Sequence, residues 1–186
     1  MEEFMKKEIN VFDYAGDILK ALRMGVLLTT KAEDRTNVMT IGWGSIGVEW
    51  GTPVFTALVR EGRFSRELLD KNGEFTVSVP YERPFDRQVL GIAGSRSGRQ
   101  QNKYRELNLA EEAPLQVSTP AYRDFPLTLE CRVLYRQPQE LALMPEDIQQ
   151  RWYPQDKGSE VCGSNKDAHI AYIAEIVAAY IVEDDE

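Results

Sequence analysis

Histidine and cysteine are nearly absent from these 186 residues, with His169 the one histidine and Cys131 and Cys162 the two cysteines. That complement builds neither a disulfide framework nor a four-ligand zinc site, and no CxxC spacing occurs. No metal is therefore expected. No apolar run approaches the ~20 residues that cross a bilayer. Met1 to Asn10, MEEFMKKEIN, lacks the apolar stretch of a secretory signal, so a cytoplasmic chain with no membrane partner is expected. Positive charge is in the minority. Against 30 Asp and Glu stand 22 Lys and Arg, a net of -8 that argues against general nucleic-acid binding. Neither a GxGxxG at a strand-to-helix turn nor a GxxxxGK[ST] is present, and GxSxG is missing, so Rossmann, P-loop and serine-hydrolase readings lose their support.

What is present is an ordinary globular composition, 42% hydrophobic, and a length near that of one domain of about 150 residues. The reading is a single domain over 1–186. Val11, Tyr14, Ala15, Ile18, Leu19 and Leu22 recur at helical spacing. Gly25 to Thr30, GVLLTT, reads as a short buried strand, and Glu33, Asp34 and Arg35 as the turn into a second strand from about Asn37. A third strand runs from Pro53 to Val59, and a short helix from Arg63 to Lys71 stops at Asn72-Gly73. Glu74 to Pro80 alternates like a half-buried strand, and Phe85 to Ala93 reads as a helix. Leu127, Leu129, Cys131, Val133 and Tyr135 alternate cleanly as another strand. Ile170 to Val182 favours strand by a modest margin. Residues 143–166 form a long excursion, with a short helix near Glu146 to Trp152, placed as a lid or a dimer arm. Six or so strands with peripheral helices make a mainly β protein, a β-barrel or α+β domain.

Three polar segments suit an anionic ligand. The first is Met39-Thr40-Ile41-Gly42-Trp43-Gly44-Ser45, within a stretch holding four glycines in ten residues (Gly42, Gly44, Gly47 and Gly51). Those glycines either let a flat ligand lie on the backbone or give a barrel strand its curvature; both readings stand. The second, Val59 to Ser65, leaves a strand and enters a helix with Arg60, Arg63 and Ser65. It reads as a phosphate site at a helix N-terminus, or as two solvated arginines and an N-cap serine. The third, Gly94-Ser95-Arg96-Ser97-Gly98-Arg99 followed by Lys103, is a phosphate cradle or a mobile surface loop.

The succession of GVLLTT, NVMTIGWGSIG, TPVFTALVREGRFSRELLDKNGEFTVSVP, GSRSGRQQNKY and DAHIAYIAEIV resembles the flavin reductase-like FMN-binding split-barrel proteins, in particular their flavoredoxin-like branch. The resemblance covers about Leu22 to Val182. It implies a six-stranded FMN-binding split barrel that forms a homodimer, and an oxidoreductase that moves electrons from NAD(P)H or a protein redox partner through FMN to an acceptor. A non-enzymatic FMN electron carrier or flavin-binding module is the alternative. The resemblance would set Met39, Thr40, Ile41, Gly42, Trp43 and Ser45 beside the flavin ring. Arg60, Arg63, Ser65, Ser97 and Lys103 would then face its phosphate. His169, in Lys166-Asp167-Ala168-His169 where many relatives carry Gly-Asp-His, would lie on the substrate side, and Tyr153 is carried with it as a substrate residue. No catalytic residue is assigned, because hydride transfer at a flavin needs no side-chain acid or base. Trp50 reads as core, Trp152 as a cover for flavin or arm, Cys131 as inert core and Cys162 as the more exposed thiol.

Overall fold

The computed structural model describes residues 5–159, 161 and 163–183. Cys162 lies outside them. Strand β1 (Lys6–Glu8) leads to helix α1 (Val11–Met24), and then come β2 (Val26–Ala32), β3 (Arg35–Ile41), β4 (Gly44–Glu49) and β5 (Thr52–Arg60). Helix α2 (Phe64–Lys71), β6 (Glu74–Val79), α3 (Arg87–Ser95) and the single turn α4 (Lys103–Glu106) follow. A small ribbon of β7 (Glu111–Glu112) and β8 (Ala121–Tyr122) precedes β9 (Leu127–Pro138), α5 (Glu146–Trp152) and the long β10 (His169–Val182).

All pairings are antiparallel, in the order β3-β2-β6-β9-β10-β5-β4, with β1 added to the far end of β10. The mainly β architecture agrees with the expectation, but the sheet has eight strands instead of six. Part of the difference is local: the glycine-containing segment breaks at Gly42-Trp43 into two strands. Those two residues join β3 to β4, the opposite ends of the sheet. The two edges of the sheet are therefore linked by two residues of chain, but no ladder joins β3 to β4 and the sheet is not closed. Gly42, Gly44 and Gly47 have the GxGxxG spacing, yet the chain continues from them as strand β4, which offers no helix N-terminus to a dinucleotide.

The sheet encloses a core in which Phe55 meets Phe75 edge-on at 6.4 Å and α1 inserts Ile18 and Leu22. Asn10 caps α1 by accepting the Phe12 N–H, and Gly25 ends it at φ 112°, where a Cβ would be strained. A second cluster packs α3 and Tyr104 on the outside of β2 and β3, through Leu27, Val38, Val89 and Ala93. Both faces of β2 are thus covered, which is why GVLLTT is a continuous apolar run rather than an alternating one.

Four local expectations are corrected. β6 is covered on both faces, because the 115–122 segment lies over Thr76 and Ser78: the Thr76 hydroxyl donates to Pro120 O at 2.7 Å, and Ser78 Oγ accepts from Tyr122 N at 2.9 Å. β9 does not alternate in burial: Leu127 to Cys131 are all buried, and the strand is largely exposed beyond them. Leu134 is an extra residue in the ladder with β10, and both Leu134 and Tyr135 are exposed. Trp50 is not core but 66% exposed, at the tip of the two-residue β4–β5 turn, where it adopts φ 52° beside Gly51 at φ 75°. Helix α2 ends on Asn72 in extended conformation, with no left-handed glycine at Gly73.

Candidate functional site

Strand β5 ends at Arg60, and the turn Glu61-Gly62-Arg63 delivers the chain into α2. Arg63 is the N-cap residue and caps with no side-chain bond; Ser65 sits inside the first turn, so the N-cap-serine reading is overturned. Ser65 is fully buried and its Oγ accepts from Asn37 Nδ2 at 2.8 Å, which ties α2 to β3. The Gly94–Arg99 segment leaves α3 and lies against this junction. Gly98 packs so closely that a Cβ there would run into Asn37 Oδ1. Arg63 Nη1 donates to Gly94 O at 2.9 Å, and Lys103 Nζ, 3% exposed, donates to Ala93 O at 2.9 Å. Ser97 Oγ accepts from Arg99 N at 3.3 Å, a turn within the loop.

The result is a cleft bounded by β3, the start of α2, the 96–99 loop and the end of the 143–166 excursion. Arg60, Arg63, Arg96, Arg99 and Lys103 line it, against one carboxylate among the described residues, Asp167. On a chain of net charge -8 this is a local reversal of sign. Such convergence of cations is the chemistry of an anion site. Asp167 has its own constraint. Its Oδ1 accepts the Ser159 hydroxyl, while Oδ2 is sealed from solvent with no partner among the described residues and packs on Gly62, where a Cβ would collide with it. A buried carboxylate oxygen without a donor is costly.

Met39, Arg60 and Arg63 also line a second, adjoining groove, completed by Thr40, Ile41, Gly42, Trp43, Leu58, Trp152 and His169. Trp43 stands edge-on to Trp152 at 4.9 Å and lies tilted on His169 at 4.9 Å. The Thr40 hydroxyl donates to Leu90 O at 2.6 Å, fixing α3 to the groove's strand. The two readings of the glycines separate here. Gly44 belongs to sheet packing, since a Cβ would sit 2.6 Å from Thr56 O, whereas Gly42 is exposed and lines the groove.

His169 is 7% exposed, and its Nδ1 lies 2.6 Å from the Tyr153 hydroxyl. Burial, reinforced by Arg60 and Arg63, pulls the imidazole pKa down to about 3, so the ring is neutral at physiological pH. Arg60 fastens the excursion over this corner. Its guanidinium donates to Asp167 O at 2.8 Å and Trp152 O at 3.1 Å, and lies over the Tyr153 ring at 4.9 Å.

The structure thus brings together Met39 to Trp43, Arg60, Arg63, Ser65, Ser97, Lys103 and His169. Ser45 is exposed on β4 and lines neither part of the cleft. Tyr153 is buried behind His169, and Trp152 takes the lining position beside it. Arg96 and Arg99, named earlier only as part of the Gly94–Arg99 segment, join the lining, whereas Asn37, Gly62 and Asp167 were missed as site residues. Asn37 and Gly62 carry no motif of their own, and only the close packing of distant segments reveals them.

A family profile described as "Flavin reductase like domain" matches residues 22–186. A curated protein of Archaeoglobus fulgidus is 27% identical over 107 residues, covering 58% of this chain and 59% of its own length. The chain thus spans less than two thirds of that relative. Among solved structures, an FMN-binding domain of a flavin reductases-like enzyme from Shewanella baltica superposes with a TM-score of 0.60 at 18% identity, over 98% of this chain and 80% of its own. Flavoredoxin of Desulfovibrio vulgaris (Miyazaki F) superposes at 0.61 and 20% identity, over 86% and 69%. These likenesses are of fold.

Proposed function

This chain belongs to the flavin reductase-like family, and from that membership we propose that it binds FMN in the two-part cleft and acts as an oxidoreductase, passing electrons from NAD(P)H or a redox partner through the flavin to an acceptor. The observation that carries the reading is the continuity of the cleft. A cation-lined end and an aromatic-walled groove share Met39, Arg60 and Arg63, as a ligand with a phosphate at one end and a planar ring at the other requires.

The donor set fits that ligand. Arg60, Arg63 and Lys103, with the hydroxyls of Ser65 and Ser97, would hold the phosphate, and Arg96 and Arg99 add charge at the rim. Met39 to Trp43 would flank the ring partly through backbone groups. When bound, FMN supplies the electron chemistry, taking up hydride or electrons and handing them to a second acceptor. The protein's part is to hold the phosphate, orient the ring edge and restrict access through Trp43, Trp152 and the neutral His169.

A homodimer in the cytoplasm is part of this proposal. The exposed Val48 and Trp50 on the β4–β5 hairpin support the dimer, and no described helix is long and apolar enough to cross a membrane. The test is a visible spectrum of the protein with FMN, followed anaerobically by NADH and then NADPH. Bleaching of the bound flavin at a catalytic rate is expected. A protein that stays colourless with FMN overturns the reading, and a bound flavin that neither nucleotide reduces makes the chain an electron carrier.

A further inference from the structure

The one titratable ring that lines the aromatic groove is held from behind. Tyr153 Oη lies 2.6 Å from His169 Nδ1, and both residues are buried. Burial raises the phenol's pKa against the opposing pull of Arg60, so Oη keeps its proton at neutral pH. That proton has two acceptors within reach, His169 Nδ1 at 2.6 Å and Gln139 Oε1 at 3.3 Å, and the shorter contact is the stronger. An imidazole that accepts at Nδ1 carries its own proton on Nε2. Nε2 has no partner among the described residues and is not among the sealed, unpaired atoms, so it opens on the groove that His169 lines.

Burial, seconded by charge, excludes the imidazolium. Arg60 from β5 and Arg63 from the following turn face the ring, and Tyr153 faces it from the excursion. Asp167, two residues before His169, turns its Oδ1 to Ser159. The bonds from Arg60 to Trp152 O and Asp167 O hold the segments on either side, so the phenol is kept in register with the ring.

We propose that Tyr153 is a positioning residue that fixes His169 as the neutral Nε2–H tautomer, so that the groove between Trp43 and Trp152 offers one uncharged hydrogen-bond donor and takes a planar ligand through a carbonyl or carboxamide oxygen. What the ligand meets beyond His169 rests on the flavin reading of the cleft; the tautomer does not.

His169 is the only histidine in the chain, so histidine-selective 15N labelling follows a single ring. In the protein without added flavin, the expected spectrum shows the proton on Nε2 and an unprotonated, hydrogen-bonded Nδ1, unchanged between about pH 5 and 8. A proton on Nδ1, or a ring that titrates near its ordinary value of about 6.5, overturns the proposal. In Tyr153→Phe both tautomers should appear, while the ring stays neutral because its burial, Arg60 and Arg63 remain. A ring unchanged in that variant removes Tyr153 from the role. If the variant does not fold, the native spectrum alone decides the tautomer. Nicotinamide at millimolar concentration, as a carboxamide probe, should shift the Nε2–H resonance, and benzylamine should not. No shift with nicotinamide, or an equal shift with benzylamine, overturns the ligand class. A flavin titration on the same sample is read separately, so failure to bind FMN defeats the cleft reading and leaves the tautomer result standing.

Discussion

At the scale of single residues, the cleft combines groups whose cost alone would be destabilising. Lys103 is buried, Asp167 Oδ2 has no donor, and His169 is neutral beside two arginines. If Arg63 holds phosphate, Arg63→Ala should weaken FMN by about 10- to 100-fold, the value of a charge-assisted hydrogen bond. Riboflavin, which lacks the phosphate, should lose little; equal losses in a fluorescence titration would remove the assignment. Gly98→Ala should cost about 1–3 kcal/mol of stability as well as FMN affinity. The new methyl meets Asn37, which is buried and tied to Ser65, so the collision cannot relax cheaply. His169 gives a pH dependence of definite sign. Its folded pKa of about 3 lies below the ordinary 6.5, so the unfolded chain takes the proton first. Its contribution to stability is complete above about pH 6.5 and is lost as pH falls towards about 3, by about 2 kcal/mol between pH 7 and 5. Urea unfolding at both pH values should show that loss, and His169→Gln should flatten it.

Elements place these residues through a few polar pins. Glu130, fully buried on β9, accepts from Leu115 N and Gln116 N at 2.6 Å each and from Val117 N at 3.1 Å, and so holds the segment that covers β6. Glu130→Gln replaces one acceptor oxygen by a donor and should cost about 2–3 kcal/mol in urea unfolding, with faster amide exchange at 115–117. Most elements were legible from periodicity: α1, α2, β5 and the helix over Glu146 to Trp152 fall close to where apolar spacing puts them. Others were not. The break between β3 and β4 depends on the sheet curling, and the β9 bulge depends on its register with β10. The exposure of Trp50 follows from a two-residue turn, a position where composition says nothing of burial.

For the whole molecule, the notable feature is charge sorted by location. The chain carries a net of -8, while its cleft gathers four arginines and a lysine around one carboxylate among the described residues. Attraction of that kind is screened by salt. FMN affinity should therefore fall several-fold between about 0.05 M and about 0.5 M NaCl, with riboflavin affinity nearly flat. A salt-independent FMN affinity would mean that the phosphate lies elsewhere.

Taken by itself, the sequence determined the mainly β class, most element boundaries, the family and three of the segments that build the cleft. The class and the boundaries follow from local spacing and residue type, which are written along the chain, and the family from the resemblance of whole segments to known proteins. The tertiary structure decided that Gly44 serves sheet packing while Gly42 lines the groove, that Ser65 pins two elements and does not cap one, and that Ser45 stands apart. It alone brought Asn37 against Gly98, Asp167 against Gly62 and Tyr153 behind His169. Each of these pairs but the last is separated by more than sixty positions, and Tyr153 reaches His169 only because the excursion folds back on its own strand. Contacts of that kind depend on where distant segments meet, and no local pattern of residues encodes them.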